Sequence, residues 1–331
     1  MDFDGDGILD LVSGSYDPGE LYLFRGLGKG RFAAREVIRD KSGKPILKVP
    51  NQKDKVESFG SWMTLVDWYD TGKLDILVGT FDGMMFLRRN EGTRTKPVYS
   101  DTNEWVMVGD KKLRVPGGEH ANPVIADWDG DGLWDILTGS ADGGVYWYRN
   151  IGEPGKPKFA AAVTLVPPHK GSGYNEFLDI DEEPVPGIRS QIFVVDYNGD
   201  GKLDLLVGDF CTTTSPRKNL TAAQREEMKT LREKMAKTHA ELAELRKPIE
   251  AKLEALIKSI PREEMVKDEN QEKWRKMSKE LYGSGEFKKV ADIATEQTKA
   301  FNQFLEKPAK QMFGAEDMST AHGYVWLYLR K

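Results

Sequence analysis

The chain has 331 residues, 39% hydrophobic and 10% aromatic: enough for one large repeat domain or two ordinary ones, and too apolar for wholesale disorder. A formal net charge of -5 argues against nucleic-acid binding as the main role, and no apolar run approaches the ~18 residues of a membrane-spanning helix. Cys211 is the only cysteine, which excludes an intrachain disulfide and leaves the redox compartment unmarked.

The chain opens inside a motif, Asp2-Phe3-Asp4-Gly5-Asp6-Gly7-Ile8-Leu9-Asp10, so an opening strand and any export signal are expected upstream of Met1. The motif returns at Asp67–Asp75, Asp127–Asp135 and Asp196–Asp204, with first-residue offsets of 65, 60 and 69. A short apolar run ending in glycine follows each copy: Leu11–Gly14, Ile76–Gly79, Ile136–Gly139 and Leu205–Gly208. Such runs predict buried strands. The turn signals Asp82-Gly83 and Asp142-Gly143 come next, then aromatic strands that end in arginine: Leu21–Arg25, Met85–Arg88 and Val145–Arg149. Another strand is expected before the loops, at Trp62–Val66 and Gln191–Val195. Strand, acidic loop, strand, tight turn and strand, with room for a fourth, describe one antiparallel sheet. Its repetition predicts an all-β fold, a β-propeller of four-stranded blades of which about four are visible.

The fourth repeat breaks off after Phe210, and the strand matching Val145–Arg149 appears only at Tyr324–Tyr328. Between them Thr221 and Gln224 form a capping-box start. Met228, Leu231, Met235, Leu242, Leu245, Ile249 and Leu256 follow a coiled-coil-like 3–4 spacing that Thr238 and Lys252 weaken. Pro248 predicts a kink and Pro261 a second helix start. A further helix is expected after Gly283-Ser284-Gly285, carrying Phe287, Val290, Phe301 and Phe304. The expected organisation is therefore blades over 1–210, a helical hairpin or small bundle over 221–312, and a returning strand over 323–331. The long loop 166–183 is the expected ligand-facing surface.

Carboxylates on alternate residues of a short loop repel one another unless they share a cation. Residues 1, 3 and 5, the carbonyl of 7 and the carboxylate of 9 can surround one point, with glycine at 6 for the turn. Such an all-oxygen shell suits Ca²⁺ better than Mg²⁺, and no histidine or cysteine in the loops suits zinc. The predicted ligands are Asp2, Asp4, Asp6, the Ile8 carbonyl and Asp10; Asp127, Asp129, Asp131, the Leu133 carbonyl and Asp135; and Asp196, Asn198, Asp200, the Lys202 carbonyl and Asp204. In the second copy Tyr69 and Thr71 replace two carboxylates, leaving Asp67, Asp75 and an out-of-register Asp70, so that site is expected to be weak or empty. An EF-hand would place Glu at position 12 before a helix, where this chain has Ser13, Thr138 or Val207 inside strand signals.

These loops, the Leu-Val-Gly strand and the run Gly144–Asn150 resemble the FG-GAP/VCBS repeats of bacterial secreted proteins and integrin α-subunit propellers. The resemblance covers residues 1–210 and 323–331. It implies a propeller in which each loop joins the first two strands of a blade and binds Ca²⁺ through the residues named above. Asp67 and Asp75 match the pattern, whereas Tyr69 and Thr71 depart from it.

His120, His169, His239 and His322 are scattered and show no nucleophile partner at motif spacing. Cys211 and the tryptophans Trp68, Trp128, Trp134 and Trp147 are expected in packing roles. The function expected is a non-enzymatic, calcium-binding scaffold outside the cytoplasm that binds a protein or polysaccharide. Two alternatives stand beside it: a calcium-dependent carbohydrate-active enzyme of polysaccharide-lyase type, and an assembly module that self-associates through its helical insert.

Overall fold

Each acidic loop is followed by a strand that is hydrogen-bonded antiparallel to the next, and the pairing register repeats along the chain. The computed structural model describes residues 1–15, 19–46, 62–174, 176–260, 264, 267–306 and 320–331. The first sheet is β1 (Leu11–Gly14), β2 (Leu21–Phe24) and β3 (Glu36–Val37). The second is β4 (Trp62–Val66), β5 (Asp75–Gly79), β6 (Met85–Arg88) and β7 (Glu104–Trp105), followed by a small hairpin, β8 (Met107–Val108) and β9 (Lys111–Lys112). The third is β10 (Asn122–Ala126), β11 (Asp135–Gly139), β12 (Val145–Tyr148) and β13 (Val163–Val166). In the fourth, β15 (Ile188–Val195) pairs with β16 (Asp204–Thr214), which also pairs with β18 (Val325–Tyr328). The short strands β14 (Glu176–Phe177) and β17 (Thr320–His322) fall where the chain passes between its two compact units. The described residues thus form mostly antiparallel sheets of three to five strands, plus three helices.

Registers confirm that the second and third sheets are copies. Trp62 pairs with Gly79 and Val66 with Asp75, as Asn122 pairs with Gly139 and Ala126 with Asp135. Side chains along these strands alternate between two cores because successive residues point to opposite faces. Ile76 and Val78 join Leu21, Leu23 and Phe86, while Leu77 joins Met85, Leu87, Ile136 and Tyr146. Leu137 and Val145 face away from that second cluster and pack with Ile192, Leu205 and Val207. Burial on both faces explains why these strands read as continuous apolar runs. The first copy differs from expectation: Leu11 and Ser13 are exposed, because β1 lies at a sheet edge and pairs only with β2. At the far end of each hairpin Gly83 and Gly143 take φ of +79° and +84°, and the preceding aspartates accept hydrogen bonds from Thr80 and Ser140.

Residues 177–183 and 214–320 form the second unit. Thr221 caps α1 (Ala222–Lys258) by accepting from the Gln224 amide, and the Gln224 side chain accepts from the Thr221 amide. The helix continues through Pro248, where a kink was expected. Its inward face runs Met228, Leu231, Met235, Thr238, Leu242, Leu245, Ile249, Leu253 and Leu256, all buried or half-buried. Thr238 joins the seam because its hydroxyl donates back to the Lys234 carbonyl at 3.1 Å, which satisfies it within the helix. Both α2 (Asp268–Tyr282) and α3 (Gly285–Asn302) pack against α1, and Phe301, Phe304 and Leu305 close a small core with Met228. Pro261, read as a helix start, lies outside the described residues.

Candidate functional site

The four acidic loops share one backbone geometry. Numbered from the first aspartate, positions 4 and 6 have left-handed φ in every copy: Gly5 and Gly7, Asp70 and Gly72, Gly130 and Gly132, Gly199 and Gly201. Asp70, out of register as a ligand, therefore stands at the position 4 glycine, a conformation that aspartate tolerates better than most residues. The carboxylate at position 1 curls the loop. Asp127 accepts from the amides of Gly130 (2.8 Å), Asp131 (3.0 Å) and Gly132 (3.0 Å), and Asp196 accepts from Gly199, Asp200 and Gly201. Asp2 and Asp67 do the same with their own loop amides. At position 5, Asp6, Asp131 and Asp200 accept from the amides of Ile8, Leu133 and Lys202 at 2.7, 3.0 and 2.9 Å. That amide holds the Asp200 carboxyl below its usual range.

Position 9 has a different job from positions 1 to 5. Asp135 is fully buried and accepts from the amides of Asn150 (2.6 Å) and Trp128 (3.2 Å) and from the Trp147 indole (2.9 Å). Asp10 accepts from Phe3 and Gly26, both at 2.7 Å, and Asp204 from Tyr197 (3.1 Å) and Arg330 (2.8 Å). Each thus pins the start of its loop to the residue two places past the strand that pairs with the one its loop leads into, β2, β12 or β18. Burial raises the Asp135 carboxyl against the pull of those donors. Asp75 has one close donor, the Asn90 amide at 2.6 Å, and its other oxygen is buried without a close partner. Burial, opposed by the Asn90 and Trp68 amides, pushes it up to about 6.

Position 3 separates the copies. Asp4 and Asp129 each turn one oxygen inward, buried and without a partner, while the other oxygen meets an arginine. Arg25 reaches Asp4 and also Glu36 (2.9 Å); Arg149 reaches Asp129 at 2.5 Å and Asp131 at 3.1 Å. The Asp131 hydrogen bond and the neighbouring carboxylates raise the Arg149 guanidinium further. Carboxylate oxygens of Asp2, Asp4 and Asp10 come within 4.8 Å of one another, as do those of Asp127, Asp129 and Asp131. Among the described residues no other three acidic or histidine side chains do, so Asp196, Asp200 and Asp204 do not converge as closely. There the Asn198 amide instead donates to Asp200 at 3.1 Å. At the second loop Tyr69 occupies position 3, with the Arg89 guanidinium 4.1 Å above its ring and its hydroxyl bonded to Glu104.

Segments that follow the third strand cover the loop of the preceding sheet. Arg94 donates to the carbonyls of Phe3 (2.8 Å) and Asp2 (2.5 Å), and Gly155 lies against the backbone of Tyr69. Sequence reading named the carboxylates but missed Arg25, Arg149 and Arg94. The first two carried a signal, an arginine at the end of repeated aromatic strands; the third did not.

At the opposite end of the strands, part of the loop 166–183 borders a cavity of about 350 Å³. His169, Ser172 and Tyr174 line it with His120, Asp142 and Arg189. The His169 Nδ1 is 2.9 Å from the Pro186 carbonyl, and its Nε2 is 3.6 Å from Glu176. Two of the four scattered histidines thus meet in one place. Cys211 is buried, which raises its thiol, and Trp68 and Trp128 are core residues, while Trp134 is 53% exposed.

No curated protein matches the chain. A family model for the FG-GAP-like repeat matches residues 2–46 and 127–207. The second sheet lies outside both segments, although its registers copy those of the third; its loop is the one that lost Asp at positions 3 and 5. Over residues 2–46 and 127–207 the chain is similar to FG-GAP-like repeats.

Proposed function

We propose that this chain is a non-enzymatic, calcium-binding β-propeller that serves as a scaffold for a protein or polysaccharide ligand outside the cytoplasm. The observation that carries the metal reading is the pair of inward, partnerless carboxylate oxygens on Asp4 and Asp129, each within a set of three converging carboxylates. An oxygen buried that way is costly unless a cation or proton occupies it. Asp2, Asp4, Asp6 and Asp10 would hold one ion and Asp127, Asp129, Asp131 and Asp135 another, with Asp196, Asn198, Asp200 and Asp204 as the third set. Ca²⁺ would supply the positive charge that these carboxylates lack. Loops this short and exposed suit the millimolar calcium found outside cells. Face-to-face stacking of consecutive sheets supports the propeller. Calorimetry with Ca²⁺ and melting with and without 5 mM EDTA (a routine excess of chelator over millimolar calcium) test the proposal. Heat of binding and a higher melting point in calcium are expected; neither appearing would sink it.

A second reading, a carbohydrate-active enzyme of lyase type, draws support from the cavity that brings His120, His169 and Arg189 together. Imidazole and guanidinium in one cleft are the base and the cation that proton abstraction beside a carboxylate needs. Release of unsaturated sugars from uronate polymers, lost in His169→Gln, would establish that reading over the first. No release from any uronate polymer would remove it.

A further inference from the structure

Four sheets with one register allow the residue facing position 9 to be compared across copies. Leu11 pairs with Phe24, Ile76 with Arg88, Ile136 with Tyr148 and Leu205 with Tyr328. One step further along, the residues facing Asp10, Asp75, Asp135 and Asp204 are Arg25, Arg89, Arg149 and Leu329. Arginine touches position 3 carboxylates in the first and third sheets, where that position is Asp. Where position 3 is Tyr69 the arginine stacks on the ring instead, and where it is Asn198 the facing residue is leucine. The arginine touches a carboxylate of its own loop only where that loop carries the full set of negative charges; Arg89 pairs instead with Glu104, outside the loop, at 3.1 Å.

We infer that Arg25 and Arg149 are built-in counter-ions of their loops, holding the carboxylates together when no metal is bound and thereby setting how tightly one binds. This rests on the metal-loop reading above. Three carboxylates within 4.8 Å repel, and a guanidinium that donates a charge-assisted hydrogen bond to Asp131 and forms an ion pair with Asp129 relieves that repulsion. Its contact is with the outer oxygen of Asp129, so the inner one stays free for a cation. A divalent ion arriving there meets a positive charge across a single carboxylate, and that repulsion opposes its binding. One arginine therefore stabilises the empty loop and weakens its hold on the ion, two effects of opposite sign. A guanidinium that merely positioned the ligands would favour both states.

The experiment uses the full chain with Asp4→Asn and Asp200→Asn, so that loop three is the site read, with Ca²⁺ alone as the probe. Arg149→Gln is expected to bind Ca²⁺ about tenfold more tightly, equivalent to about 1.4 kcal/mol, while melting lower than its parent in EDTA. Arg149→Lys, which keeps the charge, stays near the parent in affinity. In the chain with loop four intact and Asp4→Asn and Asp129→Asn in place, Leu329→Arg is expected to weaken calcium binding, and this variant tests the idea even where Arg149→Gln fails to fold. Unchanged or weaker binding by Arg149→Gln, or unaltered binding by Leu329→Arg, overturns the counter-ion assignment. Absence of calcium binding by the unmodified chain overturns the metal reading itself, so the two failures are told apart.

Discussion

A Cβ built on Gly139 would lie 2.0 Å from the carbonyl oxygen of Ser190, the residue that leads the chain into the next sheet. Gly79 stands in the same relation to Ala121, at 2.1 Å. Gly208 has the same place in the fourth sheet, but its nearest backbone atom, the Gln191 carbonyl oxygen, is 3.6 Å away. Gly139→Ala and Gly79→Ala should each lower unfolding free energy by about 2–4 kcal/mol, since backbone rather than a flexible side chain must move. Gly208→Ala should stay within about 0.5 kcal/mol of the parent. Urea melts decide; equal losses at all three positions would show that the close crossing is not what selects glycine.

Positions 3 and 9 carry the same side chain with different burdens. Asp135→Ala leaves two amides and an indole N–H unpaired in the core, and should lower stability by about 3 kcal/mol already in EDTA. Asp129→Asn should lose little in EDTA but forfeit the calcium-dependent rise in melting temperature that loop three provides. Paired melts, with and without calcium, separate a carboxylate that also pins the loop from one that acts only toward the ion. Calcium rescuing Asp135→Ala would contradict the assignment.

Asp75 gives a pH signature. Its folded pKa of about 6 lies above the unfolded value near 3.9, so the native state binds the proton more tightly. The stability it contributes is fully present below about pH 4 and lost as pH rises through 6. Asp75→Asn can still accept the Asn90 amide and carries no charge. Measured in EDTA, it should melt above the parent at pH 7, and the gap should close between pH 6 and 4. A gap independent of pH would mean that the buried charge is not what sets the difference.

Deleting residues 323–331 removes the partner of Leu205–Gly208 and the amide that Arg330 gives Asp204. It also strips the Tyr324 amide and the Trp326 indole from Asp209. The exposed edge of β16 should then recruit other chains, so the truncated protein should elute as aggregates in size-exclusion chromatography. A soluble monomer of unchanged melting temperature would show the strand to be dispensable.

Loops and sheets were legible because both repeat: an Asp spacing copied four times fixes where each hairpin begins, and Leu77 and Leu137 fall in runs whose two faces are both covered. Leu11 was misread for the same reason, since nothing in its own residues says that its strand lies at an edge. Thr238 looked like a flaw in the helical seam because a sequence does not show a hydroxyl turning back onto Lys234. The position 9 aspartates were legible as acids but not as pins, as their partners Gly26, Asn150 and Arg330 lie beyond other strands, far along the chain. His120 and His169, far apart in the chain, come together only through the stacking of two sheets.

The interruption of the fourth sheet imposes an order on synthesis. Asp209 must wait for Tyr324, 115 residues later, before its side chain finds that amide. The first three sheets close hairpins between near neighbours and can form as they leave the ribosome, whereas β16 stays open along one edge until the helices have been made. A nascent chain arrested before residue 323 should expose β16 to protease while the third sheet is already resistant. Ranking these two digestion rates on stalled ribosomes would show whether the helical unit acts as a timer for completion of the sheet whose sequence it interrupts.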